Sequence, residues 1–124
     1  MFTPKSAKVQ VINIEPIKEL TNLEYLCLIF NKINYISPIS NLTNLECIYL
    51  DFNFINDIIP LQYLENCDIF VLSHNQIEDI LLLVKNKGLH GVKSVGLWDK
   101  HLNKISINIY IPILRNRGVI VLWS

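Results

Sequence analysis

The chain has 124 residues, a length that fits one domain, and 51% of them are apolar against only 18% charged, which excludes intrinsic disorder and calls for a continuous core. No apolar run approaches the roughly 20 residues of a membrane helix, and Met1 to Lys5 opens nothing like a signal peptide, so neither a membrane partner nor export is expected from these residues. Net charge is zero, yet Val9 to Ile80 holds ten acidic residues against Lys18 and Lys32, a balance of −8, while Leu81 to Ser124 holds seven basic residues against Asp99, a balance of +6. Such polarity orients partners, or copies of the chain, by attraction that weakens with salt.

In chain order, Val11, Ile14 and Ile17 form a degenerate first half-unit over residues 9–19, with Val9 where later units carry asparagine. Leu20-Thr21-Asn22-Leu23-Glu24 then returns as Leu42-Thr43-Asn44-Leu45-Glu46 and, more loosely, as Leu64-Glu65-Asn66-Cys67-Asp68, a period of 22. Within each unit an apolar pair two apart (Leu26/Leu28, Ile48/Leu50, Phe70/Leu72) marks a short strand. A triplet three apart, such as Ile33/Ile36/Ile39, marks a tight 3₁₀ or helical return. One unit cannot bury its own apolar edge, so units over 20–41, 42–63, 64–88 and 89–106 must stack, laying their strands into one parallel sheet.

Asn31, Asn53 and Asn75 stand where the chain leaves each strand, and their amides both donate and accept, so a column of them satisfies the backbone of the turns. Replacing one by an apolar residue is expected to cost about 1–3 kcal/mol. In the fourth unit Leu89, Val92, Val95, Leu97, Leu102 and Ile105 keep the apolar places, but Lys100 takes the asparagine place, which predicts that the ladder stops there. Leu83 to Gly88 and Leu114 to Gly118 read as helix ends with basic residues beside the negative terminus and a left-handed glycine stop. Residues 107–124 read as a cap: a helix from about Asn108 to Arg117, then an edge strand Val119 to Leu122. By this reading the C-terminal end is finished, whereas Phe2 to Lys8 offers no capping helix.

These motifs resemble the leucine-rich repeat family, and the 22-residue form with Ile36-Ser37-Pro38-Ile39 and Leu-Thr-Asn-Leu is similar to its internalin-type bacterial branch, over about Val9 to Leu102. The expected fold is an α/β leucine-rich repeat solenoid: one domain over 1–124, with a curved parallel β-sheet on its concave face, 3₁₀ or helical return segments and a C-terminal helix–strand cap. The resemblance also implies that the concave sheet binds ligands, usually protein.

If Leu26 and Leu28 point inward, alternation turns Tyr25, Cys27 and Ile29 outward. Equivalent places give the rows Tyr25-Cys47-Ile69-Ser94, Cys27-Tyr49-Val71-Gly96, Ile29-Asp51-Ser73-Trp98 and Phe30-Phe52-His74-Asp99. Solvated sheet faces usually alternate to polar residues; this one is aromatic and aliphatic, as a buried binding face is. Tyr25, Cys27, Ile29, Phe30, Tyr49, Asp51, Phe52, Val71, Ser73, His74, Trp98 and Asp99 are therefore the candidate binding residues. Tyr25, Tyr49, Phe52, Val71 and Trp98 act as anchors, and Asp51, His74 and Asp99 set orientation. The expected function is non-catalytic binding of a protein partner. Homo-oligomeric assembly through this face or through an uncapped N-terminal edge is the alternative, and cover by another element of the chain is a third.

Catalysis is not expected. Ser73 and His74 are adjacent, so their side chains diverge, and no glycine-rich turn offers an oxyanion hole. His74, His90 and His101 lack metal spacing, and no phosphate-binding loop is present, so no cofactor or metal is expected. Lys85, Lys87, Arg115 and Arg117 are explained by helix ends, and the aromatics lie apart from the basic cluster, which argues against nucleic acid. Cys27 and Cys47 face one way but are offset by two residues, Cys67 holds a leucine place, and all three are expected as free thiols, which suits the cytoplasm. Secretion stays open through the internalin resemblance.

Overall fold

In the computed structural model, which describes residues 10–99 and 101–123, every coil runs from a three-residue strand through a tight turn to a return segment. The strands are β1 (Tyr25–Cys27), β2 (Cys47–Tyr49), β3 (Ile69–Val71), β4 (Ser94–Gly96) and β5 (Ile120–Leu122). They form one parallel sheet in sequence order, as the stacking of like coils requires. The register pairs Leu26 with Ile48, Ile48 with Phe70, Phe70 with Val95 and Val95 with Val121. Each central residue faces inward, and all four of these pairings are buried.

Return segments are 3₁₀ turns at Glu15–Ile17, Ser37–Ile39 and Ile59–Tyr63, each with a proline in its first turn. Proline suits that place because its missing N–H would lack an intrahelical partner anyway. Ile39 N–H donates to the Ile36 carbonyl at 3.0 Å and Leu61 N–H to Ile58 at 2.9 Å, so residues three apart eclipse and Ile33, Ile36 and Ile39 all reach the core. The repeated Thr-Asn pair ties coils together on the outside: Asn44 Nδ2 donates to the Thr21 carbonyl at 2.8 Å and Asn66 Nδ2 to Thr43 at 2.9 Å.

The fourth return is α1 (Leu81–Lys85), and it does not end on a left-handed glycine as expected. Asn86 stops it in an extended conformation; its buried amide donates to the carbonyls of Leu61 (2.9 Å) and Leu64 (3.2 Å) while its Oδ1 accepts Gly88 N–H at 2.9 Å. Gly88 is required for closeness instead, since a Cβ there would fall 1.9 Å from the Glu65 carbonyl oxygen. The cap is a helix with a π turn over Ser106–Tyr110 continuing into α2 (Ile111–Asn116), the π turn lying just before Pro112, which has no N–H to give the preceding turn. Gly118, at φ 90°, ends it in the left-handed conformation that the sequence predicts. Ile111 and Leu114 close the core. Arg115 and Arg117 donate to the carbonyls of Val121 and Val84, both at 2.8 Å, fastening the cap to β5 and α1.

Three apolar places behave differently from expectation. Leu20 is half exposed because the outermost described coil has a neighbour on one side only. Val92 is carried outward by the turn at Gly91, whose φ is 71° and whose N–H donates to the Arg117 carbonyl. Ile105 sits on the outer face of the cap helix. Val9, the Phe2 to Lys8 segment and Lys100 lie outside the described residues.

Candidate functional site

The outward rows come together on the sheet as the alternation predicts. Tyr25, Cys47, Ile69 and Ser94 align across neighbouring strands, as do Cys27, Tyr49, Val71 and Gly96. β5 extends these rows by Ile120 and Leu122, both exposed and absent from the sequence reading; the alternation Val119-Ile120-Val121-Leu122 was the available signal. The third row follows from the bonds just past the strands: Phe30 N–H donates to Asp51, Phe52 N–H to Ser73 and His74 N–H to Trp98, at 3.1, 3.1 and 2.9 Å. Tyr25 and Trp98 are 64% and 53% exposed. Cys27 is exposed as well, and Ile29, Tyr49, Asp51 and Val71 are part-buried.

Phe30, Phe52 and His74 turn the corner in the left-handed region at φ 58°, 59° and 57°, a conformation that costs a residue with a Cβ about 1–3 kcal/mol. Their rings form a column: Phe30 on Phe52 at 4.2 Å between centroids and 10° between planes, Phe52 on His74 at 4.3 Å and 13°. Each stack returns about 0.5–1.5 kcal/mol, offsetting part of the strain.

Asp99 does not continue that column. It is buried, its side chain 1% exposed, and its Oδ2 accepts Ile77 N–H at 3.3 Å. The same bond is made by Asn31 to Val11 N–H, Asn53 to Ile33 N–H and Asn75 to Ile55 N–H. The turn after β4 is one residue shorter than the others, so the ladder gains a fourth rung at Asp99 rather than stopping at position 100. Asp99 Oδ1 also accepts His101 N–H (2.9 Å) and lies 2.6 Å from His101 Nδ1. Ser73 is corrected too: it is buried, and its Oγ accepts Trp98 N–H at 3.0 Å, so it braces the sheet face rather than offering a free hydroxyl. Serine, histidine and aspartate therefore form no relay; Asp99 engages His101, not His74.

Asp51 is the electrostatic singularity of the face. Its Oδ1 is buried without a hydrogen-bond partner, and burial pushes its carboxyl above the usual carboxylate range despite a bond from its own backbone N–H and the nearby charge of His74. Glu46 beside Tyr25 raises that phenol, and burial followed by the Cys47 thiol raises Tyr49. Cys27 and Cys47 are free, as is Cys67, whose buried thiol is pushed up to about 12. Among the described residues, no group of His, Cys, Asp and Glu gathers as metal ligands, and no helix is long and apolar enough to cross a membrane.

Gly96 leaves a shallow hollow of about 410 Å³ between Asp51, Val71, Ser94, Trp98 and Leu122. Beside it, at the β5 end, a cavity of about 360 Å³ opens between His74, Trp98, His101, Ile107 and Trp123; the sequence considers His101 only as a metal ligand and gives no signal for Ile107 or Trp123, because these residues come from the irregular fourth coil and the cap. On the return side Tyr35, Phe54, Ile59 and Tyr63 are also exposed, a second apolar surface that lies off the strand alternation.

A family model described as leucine-rich repeats, two copies, matches residues 21–63. Among solved structures the chain is similar to an internalin (inlF) of Listeria monocytogenes, 27% identical with a TM-score of 0.77 over 93% of this chain and 34% of that one. It is also similar to internalin C2 (inlC2) of the same organism, 28% identical with a TM-score of 0.72 over 93% of this chain and 48% of that one. The chain thus spans between a third and a half of the length of these internalins. No curated protein matches it.

Proposed function

Starting from a chain built of internalin-like leucine-rich repeats, a class of domain that generally mediates protein–protein interaction, we propose that it is a non-catalytic module that binds a protein partner on its sheet face. The observation that carries this reading is the exposure of Tyr25, Phe30, Phe52 and Trp98 on one sheet face, with Phe52 and Trp98 beside Asp51 at the Gly96 hollow. Backbone hydrogen bonds and the buried inner rows hold these side chains in place, so a partner loses little further freedom in ordering them. Exposed aromatics supply hot-spot area. The acidic balance of −8 over Val9 to Ile80 favours a basic epitope over an acidic one.

A Tyr49→Ala/Trp98→Ala double variant should lose at least tenfold in affinity for a captured partner while keeping its unfolding midpoint within a few degrees; unchanged affinity moves the site elsewhere. One observation favours self-association as a second reading: the balance of −8 in the first part of the chain against +6 in the last. Sedimentation at low and high salt separates the two, since a dimer held by that polarity dissociates as salt rises. Three free thiols, with Cys67 held protonated, support work in a reducing compartment such as the cytoplasm.

A further inference from the structure

The aromatic column on the sheet edge is interrupted rather than finished. Its members stand once per coil, immediately after the Ile29-Asp51-Ser73-Trp98 row, and the centroid steps of 4.2 and 4.3 Å lie close to the about 4.8 Å between neighbouring strands. Nothing in that spacing limits the column to three rings. The fourth coil ends it by losing a residue: Trp98 already gives its carbonyl to His74 N–H, and Asp99, the next residue, is already the ladder rung beneath Ile77 N–H. Between the two there is no residue to carry a fourth ring.

The place where that ring would stand is a cavity. It lies beyond His74 on the β4 side, holds about 360 Å³, and is walled by His74, Trp98, Leu102, Ile107 and Trp123, with His101 as a polar group. That volume is within the range of about 300–1,000 Å³ typical of ligand sites, which pair apolar walls with a few fixed polar atoms. Asp99 fixes one here. By accepting from His101 Nδ1 at 2.6 Å it selects the Nδ1–H tautomer of the neutral imidazole and leaves Nε2 as an acceptor. His74 and Trp98 also border the Gly96 hollow, so the cavity is continuous with the sheet face.

We propose that this cavity receives a tryptophan or tyrosine side chain of the protein partner, which stacks on His74 as the fourth ring of the column and gives its indole N–H or phenol O–H to His101. An aliphatic side chain would fill the walls but leave both the His74 ring face and His101 Nε2 unused, so the site discriminates by shape and by hydrogen bonding together. The inference rests on the protein-binding reading for the source of the ring, not for the pocket itself.

The test uses the whole chain and two probes, N-acetyl-tryptophan amide and N-acetyl-leucine amide, followed by ¹H–¹⁵N chemical shifts. The tryptophan probe should shift the His74 and His101 amides and the Trp98 and Trp123 indoles, at least tenfold more tightly than the leucine probe. His74→Ala should erase most of that preference, and inserting one phenylalanine between Trp98 and Asp99, which restores the length of the turn, should close the site. His101→Ala should remove the advantage of the tryptophan probe over N-acetyl-phenylalanine amide while leaving stacking intact. Equal binding of the tryptophan and leucine probes, or shifts confined to other residues, overturns the aromatic assignment even if the Tyr49/Trp98 variant has lost its partner. Tight probe binding with a partner indifferent to His74→Ala overturns the partner as the source and leaves a small-molecule site.

Discussion

Substituting the ladder asparagines one at a time should give a graded loss of stability, and the grading follows from which backbone groups each amide serves alone. Asn53 Oδ1 accepts Ile33 N–H at 3.0 Å, and its Nδ2 donates to the carbonyls of Leu28 (2.9 Å) and Leu50 (3.0 Å). Both carbonyls have a second amide: Leu28 also receives Asn31 at 2.9 Å, and Leu50 also receives Asn75 at 3.0 Å. Asn53→Ala therefore orphans one buried N–H, at about 1–3 kcal/mol, and weakens two shared carbonyls, for a total of about 2–4 kcal/mol. At Asn75 the redundancy fails on one side. The Leu72 carbonyl receives Asn75 at 3.0 Å, and the next rung is Asp99, whose carboxyl group has no N–H to offer. Asn75→Ala should thus lose about 3–5 kcal/mol, from two orphaned groups rather than one. Asn31 serves the N–H of part-buried Val11, where water can substitute, so its loss should be about 1 kcal/mol. Urea unfolding followed by circular dichroism reads all three. The Asn53/Asn75 double variant should lose more than the sum of its parts by about 1–2 kcal/mol, because only then is the Leu50 carbonyl stripped of both donors. Equal losses at the three positions, or strict additivity of the double variant, would refute the shared-carbonyl argument.

Gly88→Ala should destabilise by about 3 kcal/mol or more, since the clash is with the Glu65 backbone, while Gly91→Ala, where a Cβ meets nothing, should cost about 1–2 kcal/mol for its φ of 71° alone; thermal unfolding distinguishes them. Under limiting iodoacetamide at pH 8, mass spectrometry should find Cys27 alkylated first and Cys67 untouched until the chain unfolds, because its buried thiol, pushed up to about 12, yields almost no thiolate. Asp51 sets a pH dependence of known sign. Its folded carboxyl is raised by burial, so its favourable contribution is present below the ordinary aspartate range near pH 4 and is lost as pH rises through the folded value. Asp51→Asn should accordingly gain stability relative to the parent on going from pH 4 to pH 7. A difference that shrinks over that interval would contradict the burial argument.

The solenoid was legible because its determinants are local and repeated. A 22-residue period, strand pairs two apart, return triplets three apart and an amide at each corner admit one economical arrangement, and the observed register Tyr25-Cys47-Ile69-Ser94 follows from the period alone. The same logic put Tyr25, Phe30, Phe52 and Trp98 on the outside. It failed where the period fails. Counting residues set Lys100 at the ladder and Asp99 on the surface, since a one-residue deletion in a turn leaves the flanking apolar spacing almost untouched. Only the bond from Ile77 N–H shows which carboxylate or amide closes the turn. Asn86 and Gly88 were opaque for a related reason: their partners are the carbonyls of Leu61, Leu64 and Glu65, more than twenty positions away. Sequence by itself thus determined the repeat, the inner and outer faces and the aromatic rows, because these depend on spacing within a coil. The end of the aromatic column, the burial of Ser73 and Asp99 and the cavity beside His74 were decided by contacts between coils, which take shape only when the stack does.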